Sequence, residues 1–237
     1  MATQYKVNIS MPVSTVEALN NGNYQLYGFK AVATTIGGGA PLVWFASSSF
    51  STSTIVQWST QYQGYTSLSE IVNGVTIDAS FSANMDLQQT LNVTGKTGTG
   101  SVVAGGVASA LSINNMTTNP FTCGISEQQG SNPPTPLCAF PLYGNGLDVI
   151  APIEKVLLTF ATTQVNTGTV IEKAYAPGYL IDLTGAPGNA RSVSFDINLG
   201  WSNDGGVWAQ QVPANASLLP LLIDSSPSAV QALRKAA

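Results

Sequence analysis

The sequence predicts an all-β fold, namely an antiparallel β-sandwich with one long amphipathic hairpin and short helices near both ends. Three observations support this prediction. Apolar and polar residues alternate over several long segments, as they do in strands with one buried face. Helical patterns are confined to two short segments near the termini. Only 8% of the 237 residues are charged, against about 25% in an average soluble protein. We therefore expect one all-β domain over residues 1–237.

The first part of the chain combines strands with one short helix. Alternation over residues 5–11 predicts an opening strand. Ser14 and Glu17 have the spacing of a capping box, which favours a short helix through Leu19. Further strands are predicted over residues 24–35, 42–46 and 54–65. On the last of these, the polar face consists of Gln57, Ser59, Gln61 and Gln63.

The clearest alternation runs from Val75 to Val93. The large apolar residues of its one face are Val75, Ile77, Phe81, Met85, Leu87, Leu91 and Val93. A strand of this length far exceeds the usual five or six residues, unless a bulge near Gln88 and Gln89 divides it. A glycine-rich turn follows, and then a weaker partner strand over residues 102–113. Together they predict a long hairpin over residues 75–113.

The second half of the chain is also dominated by strand patterns. Residues 155–161 are apolar on both faces, which predicts a central strand. Further strands are predicted over residues 170–175, 179–183 and 191–201. Pro227 begins a short terminal helix whose last turn is basic.

Cys123 and Cys138 enclose a segment rich in proline and glycine. We expect them to form a disulfide, which for a loop of about 15 residues would stabilise the fold by roughly 3 kcal/mol. The alternative is a pair of separate buried thiols, which a reducing cytosol would favour. The chain contains no histidine, and two sulfurs do not make a zinc site, so we expect neither a metal nor another cofactor.

The residue inventory argues against an enzyme. Without histidine the chain lacks the usual general base and the Ser-His and Cys-His nucleophile pairs. Twelve carboxylates remain, and glycosidases use two carboxylates that flank one bond. Asp78 and Asp86 lie too far apart along one predicted strand for that role, and we expect Asp182 and Asp196 to face solvent.

Charge and chain length limit the partners. The formal net charge is -4, and the eight basic residues are scattered, so the sequence predicts no nucleic-acid partner. No apolar run approaches the length of about 18 residues that a spanning helix needs. The first residues show no pattern of a signal peptide. We expect a secreted or released protein rather than a cytoplasmic one.

Three functions are compatible with these patterns. The 75–113 hairpin is almost free of charge and resembles the insertion hairpins of aerolysin-type pore-forming toxins, which implies oligomerisation and insertion into a lipid membrane. A carbohydrate-binding, lectin-like module is the second candidate. Its glycan-contacting residues would be Trp201, Asn203, Asp204 and Trp208. The third is a self-assembling structural protein, since uncharged strand edges permit homo-oligomers.

Overall fold

The structure is a computed structural model that describes residues 2–235. The strands of the first half are β1 (Gln4–Ser10), β2 (Gln25–Thr34), β3 (Ala40–Pro41), β4 (Phe45–Ser47), β5 (Ser53–Ser67), β6 (Ala79–Met85), β7 (Gln89–Val93), β8 (Gly100–Ala104) and β9 (Leu111–Asn115). Those of the second half are β10 (Phe121–Gln129), β11 (Thr135–Pro136), β12 (Cys138–Leu142), β13 (Leu147–Ala161), β14 (Gly178–Asp182), β15 (Ala190–Asp196), β16 (Gly200–Ser202), β17 (Ala209–Val212) and β18 (Ile223–Asp224). The helices are α1 (Val13–Asn21), α2 (Leu219–Leu222) and α3 (Pro227–Lys235).

The strands form two large sheets that pack as a sandwich, so the predicted all-β class is confirmed. The first sheet has the order β16-β15-β1-β5-β10-β12-β3, with β6 on β5 and β11 on β10. The second has the order β17-β14-β13-β9-β7-β8, and β2 pairs with β13 and carries β4 and β18. Most pairs are antiparallel, but β1 with β15, β7 with β9, and β18 with β2 are parallel.

Two strands of 15 residues each, β5 and β13, organise the sheets. Each carries one continuous neighbour along one edge and two shorter strands, end to end, along the other. For β5 the continuous neighbour is β10, and the short strands are β1 and β6. For β13 the corresponding strands are β2, β9 and β14. The sandwich therefore has a break in strand pairing along one edge of each long strand.

The main core fills the space between the sheets, and a second apolar layer covers the outer face of β2 and β13. Val156 and Leu158 of β13 belong to the main core, whereas Leu157 between them packs in the outer layer. The apolar run at 155–161 is thus buried on both faces, and its predicted central position is confirmed by partners on both of its edges. This double burial explains why the run lacks alternation.

The predicted 75–113 hairpin is divided in the structure. Strand β6 pairs with β5 in the first sheet, and β7 pairs with β8 and β9 in the second. The division falls near Gln88, whose φ of 70° reverses the local backbone direction. An antiparallel hairpin is formed only by β7 and β8, because β9 lies parallel to β7.

Several local predictions also need correction. The predicted strand over residues 191–201 is divided into β15 and β16, which pair antiparallel, and the predicted strand over residues 42–46 is reduced to the start of β4, with Leu42 in an isolated bridge. Helix α1 begins at Val13 with Pro12 at its N-cap, so Ser14 lies inside the helix and forms no capping box. Residues 170–175 make isolated bridges instead of a strand. The segment between the two cysteines is largely the β10–β12 hairpin, which the sequence patterns did not predict. The terminal helix α3 begins at Pro227 as predicted.

Across residues 2–235, no helix is long and apolar enough to cross a membrane.

Candidate functional site

A groove opens where strand pairing along β5 is interrupted. Strand β1 pairs with β5 as far as Ser59, and β6 begins its pairing at Tyr62. The ends of the two short strands therefore leave Thr60 and Gln61 between them. The resulting depression has a volume of about 1040 Å³. Its position is a direct consequence of the sheet topology.

Uncharged polar side chains dominate the lining of the groove. Its amide residues are Gln61, Gln63, Asn84, Gln89 and Gln128. Met85, Leu87 and Val102 add apolar surface, and Asp86 is the one charged residue of the lining. Tyr62 also contributes to the lining, although its side chain is almost entirely buried.

Part of the hydrogen-bonding capacity of these amides is used internally. Gln63 Nε2 donates to Asn84 Oδ1 at 2.9 Å, and the Asp86 backbone N–H donates to Gln89 Oε1 at 2.8 Å. For Gln61 and Gln128, no side-chain hydrogen bond to residues 2–235 is formed. Each free amide offers two donor hydrogens and an acceptor oxygen. The groove can therefore both donate to and accept from a bound polar molecule.

A buried cluster of charges lies behind Tyr62. In the β5–β10 ladder, Tyr62 is the direct partner of Glu127, and the register shifts between Glu127 and Gln129. A bulge of this kind changes the direction of successive side chains. Glu127 is fully buried, whereas Gln128 lines the groove. The bulge thus separates a buried carboxylate from a groove-facing amide.

The cluster joins three strands through one ammonium group. Lys30 Nζ of β2 lies 2.7 Å from Glu127 Oε2 of β10 and 3.0 Å from Glu154 Oε2 of β13. The side chains of Lys30 and Glu127 have no exposed surface, and that of Glu154 is 15% exposed. Glu154 stands at a second register shift, between Ile153 and Val156 of β13. Irregularities in both sheets therefore direct charged groups into the core.

Aromatic side chains surround this cluster. Lys30 Nζ lies 4.8 Å from the ring centroid of Trp58 and 5.5 Å from that of Trp44, within the range of cation–π attraction. Trp58 Nε1 donates to Glu154 Oε2 at 3.1 Å, and Tyr62 O–H contacts Glu154 Oε1 at 3.5 Å. Glu154 is thus hydrogen-bonded to both aromatic side chains, whereas Glu127 has no hydrogen-bond donor among the described residues other than the Lys30 ammonium.

Burial changes the proton affinity of these groups. It raises the pKa of Glu127 to about 7, although the ammonium of Lys30 opposes the shift. Burial, reinforced by the charges of Glu127 and Glu154, also raises the pKa of Tyr62 far above its ordinary value. Tyr62 therefore stays protonated and serves as a hydrogen-bond donor.

The predicted disulfide is wrong, because Cys123 and Cys138 are free thiols. They lie on neighbouring strands, but Cys123 pairs with Phe140, so Cys138 is two residues out of register. Diagonal neighbours in a sheet have Cα atoms about 7–8 Å apart, beyond the reach of a disulfide. Burial raises the pKa of Cys138 to about 12 and that of Cys123 well above its usual range. Both thiols therefore stay protonated and unreactive.

A second buried carboxylate lies beside Cys123. Asp148 Oδ1 accepts a hydrogen bond from Thr34 Oγ1 at 2.9 Å, and the Cys123 thiol lies 3.8 Å from Asp148 Oδ2. Burial raises the pKa of Asp148 to about 6, although these hydrogen bonds oppose the shift. Asp148 has no exposed surface. It is therefore a core carboxyl that no solute can reach in the folded chain.

The predicted membrane-contacting face is distributed between core and surface. Four of its members are buried in the protein, namely Ile77, Met85, Leu91 and Val93. Phe81 is half-buried, whereas Val75 and Leu87 are exposed. Met85 and Leu87 also line the groove. In the folded chain most of this face therefore contacts other residues of the protein.

The predicted glycan-contacting loop is not an open aromatic platform. Trp201 is 2% exposed and stacks against Phe160, with ring centroids 5.5 Å apart. Trp208 is half-buried beneath Arg191, whose guanidinium lies 4.8 Å from the ring centroid. The Asn203 side chain holds the loop, because its Oδ1 accepts from the Gly205 N–H and its Nδ2 donates to the Gly206 carbonyl, and Asp204 is exposed. The two tryptophans therefore contribute mainly to packing.

Comparison of the chain with protein-family models, with curated proteins and with solved structures found no match. The function must therefore be argued from the residues of this chain.

Sequence patterns missed the buried charges and found only part of the groove. Lys30 is the single charge in the apolar run Leu26–Ala33, a position that indicates a buried ion in need of a partner. Glu127 and Glu154 carry no such signal, because bulges decide where they point. The polar face with Gln61 and Gln63 was visible in the alternation of residues 54–65, but Gln128 and Asn84 reach it through the fold.

Proposed function

We propose that the protein is a non-enzymatic carbohydrate-binding module that takes its ligand in the amide-lined groove along β5. The observation that carries this proposal is the lining itself: a concave surface of about 1040 Å³ in which amides predominate and one carboxylate is present. Sugar hydroxyls act both as donors and as acceptors, as the amide side chains do. Such groups are also desolvated at lower cost than ions.

The other features of the groove favour a neutral oligosaccharide. Met85, Leu87 and Val102 offer apolar surface for the C–H faces of sugar rings. The one charge of the lining is the carboxylate of Asp86, and the chain has a net charge of -4. Anionic glycans would be repelled by both. This proposal places glycan binding in the groove instead of the Trp201–Trp208 loop.

Binding of neutral glycans by groove variants tests this proposal. An array screen would identify a binder, and calorimetric titration would then compare wild type with Gln61→Ala and Gln128→Ala. Each substitution removes one to two hydrogen bonds of about 0.5–1.5 kcal/mol each, so we expect roughly tenfold weaker binding per substitution. Gln210→Ala is the matched control, since Gln210 is an exposed amide on β17 outside the groove. Unchanged affinity in both groove variants would refute the site.

A second candidate function is insertion of the 75–113 segment into a membrane. It is favoured by the edge positions of β6 and β8, each of which has a ladder partner on one side only within residues 2–235. No charged residue occurs between Lys96 and Glu127. Exposing the four buried apolar side chains of the segment would cost about 1.5–3 kcal/mol each, which lipid contact could offset.

A reversible cross-link tests insertion. Asn92 on β7 and Asn114 on β9 are direct partners in the ladder, and their side chains are hydrogen-bonded at 3.0 Å. In an Asn92→Cys/Asn114→Cys double variant, a disulfide would hold these strands in their folded arrangement. We expect dye release from liposomes by wild type and by the reduced variant, and none by the oxidised variant. Intact liposomes with wild-type protein across lipid compositions would exclude insertion.

A further inference from the structure

An amine and a carboxylate are in contact at the centre of the sandwich, on opposite sheets. Lys30 belongs to β2 of the second sheet and Glu127 to β10 of the first. Their Nζ and Oε2 atoms are 2.7 Å apart, and neither side chain has any exposed surface. This contact is the place where the two sheets are joined by functional groups able to react with each other.

The ionised form of this pair is poorly stabilised. Two ions in the core lose their hydration, and a buried pair is compensated only when further hydrogen bonds satisfy both groups. Apart from the Lys30 ammonium at 2.7 Å, neither Glu127 oxygen receives a hydrogen-bond donor from residues 2–235. Burial also raises the pKa of Glu127 to about 7, so that its neutral acid is populated near neutral pH. Near neutral pH the site therefore holds a population of neutral Glu127 in contact with the Lys30 side chain.

We propose that Lys30 and Glu127 condense into an amide that joins the two sheets covalently, with Glu154 as the proton carrier. Glu154 Oε2 lies 3.0 Å from the same Nζ atom, so a carboxylate contacts the reacting amine directly. Trp58 Nε1 and Tyr62 O–H hold this carboxylate at 3.1 Å and 3.5 Å. Glu154 is thereby positioned as a catalytic base beside the amine.

The reaction balances without any further reagent. The Lys30 ammonium passes a proton to the Glu154 carboxylate, and the free amine attacks the carboxyl carbon of protonated Glu127. The hydroxyl group of the tetrahedral intermediate takes a proton from Glu154 and leaves as water. The extra proton on nitrogen then passes to the Glu154 carboxylate, which ends the reaction protonated. One C–N bond forms and one C–O bond breaks. One positive and one negative charge disappear, so the net charge of the chain is unchanged.

The fold supplies the conditions that this condensation needs. Groups held in contact react with effective concentrations of roughly 10⁵–10⁸ M, provided that their geometry is maintained. The rings of Trp44 and Trp58 surround the Lys30 amine and keep bulk water away from it. The other charged or titratable groups that face the pair are Glu154 and Tyr62, with Tyr5 stacked on Trp58 at a ring distance of 5.8 Å.

Mass spectrometry of the wild-type chain tests the proposal directly. Under denaturing conditions we expect an intact mass lower than the sequence mass by one water molecule, after purified protein is incubated between pH 5 and pH 8. Tryptic digestion should give a peptide joined through Lys30 and Glu127, with no cleavage after Lys30. Lys155 and Asp182 are an internal control, since this partly exposed pair at 3.6 Å should remain unlinked. Full mass in all samples, with the fold verified by circular dichroism, would overturn the proposal.

Two variants separate the amide from a plain ion pair. Lys30→Arg keeps the positive charge but removes the nucleophilic amine, so we expect full mass. Glu154→Gln keeps the shape and the hydrogen bond from Trp58 but removes the base, and we expect linkage to be at least tenfold slower. Equally rapid linkage in Glu154→Gln would overturn the role of Glu154. If Lys30→Arg fails to fold, the wild-type digest still decides whether the bond exists.

Discussion

Two carboxyl groups, those of Glu127 and Asp148, lie in the core, where they lose the water that stabilises their ionised forms. Glu127 and Asp148 are both fully buried, yet Glu127 faces an ammonium, whereas Asp148 faces a hydroxyl and a thiol. Burial raises the pKa of each, to about 7 and about 6 respectively. Asp148 has no cation among its hydrogen-bonding partners. Its titration is therefore the simpler of the two to isolate.

We expect Asp148 to make the folded state more stable in acid than at neutral pH. Its pKa rises from 3.8 to about 6 on folding, so between these values the native state binds more protons than the unfolded state. This contribution is fully present below pH 3.8 and is lost as the pH rises through about 6. Urea unfolding of wild type and Asp148→Asn across pH 4 to 7 measures it. The difference between the two proteins should change over this range, and a constant difference would contradict the assignment.

Among the elements, β10 depends on close contact with its neighbours. The ring of Tyr65 on β5 packs over Gly124 of β10, and the Tyr65 O–H donates to the Cys138 carbonyl at 2.6 Å. A β-carbon at Gly124 would lie 2.1 Å from that carbonyl oxygen and 2.8 Å from the Tyr65 ring. Glycine is therefore required here by the approach of a backbone group, not by a positive φ.

Gly124→Ala should consequently destabilise the protein. Overpacking of a core typically costs about 1–3 kcal/mol, and contact with a backbone oxygen allows little relief, so we expect a loss of about 3 kcal/mol. Gly37→Ala is the control, because a β-carbon there would meet nothing within 4 Å. Chemical unfolding should show a large shift in midpoint for the first variant and almost none for the second. Equal midpoints would mean that β10 can move away from Tyr65.

For the whole molecule, the free edge of β8 lacks charged protection. Asp78 and Asp86 flank β6, whereas β8 lies in a segment without charge from Thr97 to Ser126. Charged side chains are a common means of preventing edge-to-edge pairing. Val103 is 40% exposed on this strand. The edge is therefore suited to pairing with a second copy of the chain.

We expect wild-type protein to self-associate at high concentration through β8. Val103→Lys should weaken this association, because pairing would bring two ammonium groups together and bury them. Val207→Lys adds the same charge at a fully exposed loop position and is the control. Sedimentation velocity over a concentration series distinguishes the variants. A wild-type chain that stays monomeric throughout would exclude this edge as an interface.

The all-β class could be predicted because the alternation of apolar and polar residues identifies a strand even when its neighbouring strands are unknown. Alternation marks a half-buried strand wherever it occurs, and so β1, β5, β6, β7 and β15 were predictable from local pattern. Helix α3 was equally local, since Pro227 favours a helix start. Part of the groove was visible in the same way, through Gln61 and Gln63 on the polar face of β5.

Only the tertiary structure decided which of these strands share a sheet and where their irregularities fall. The pattern indicated a possible division near Gln88 and Gln89, where the turn lies, but alternation is the same whether β6 and β7 join one sheet or two. Pairing between distant strands sets the register that separates Cys123 from Cys138. It also produces the register shifts that direct Glu127 and Glu154 into the core. The sequence by itself therefore determined the all-β class and the polar faces of its strands. The groove and the buried charges required contacts between residues far apart in the chain, because register is set by packing across strands.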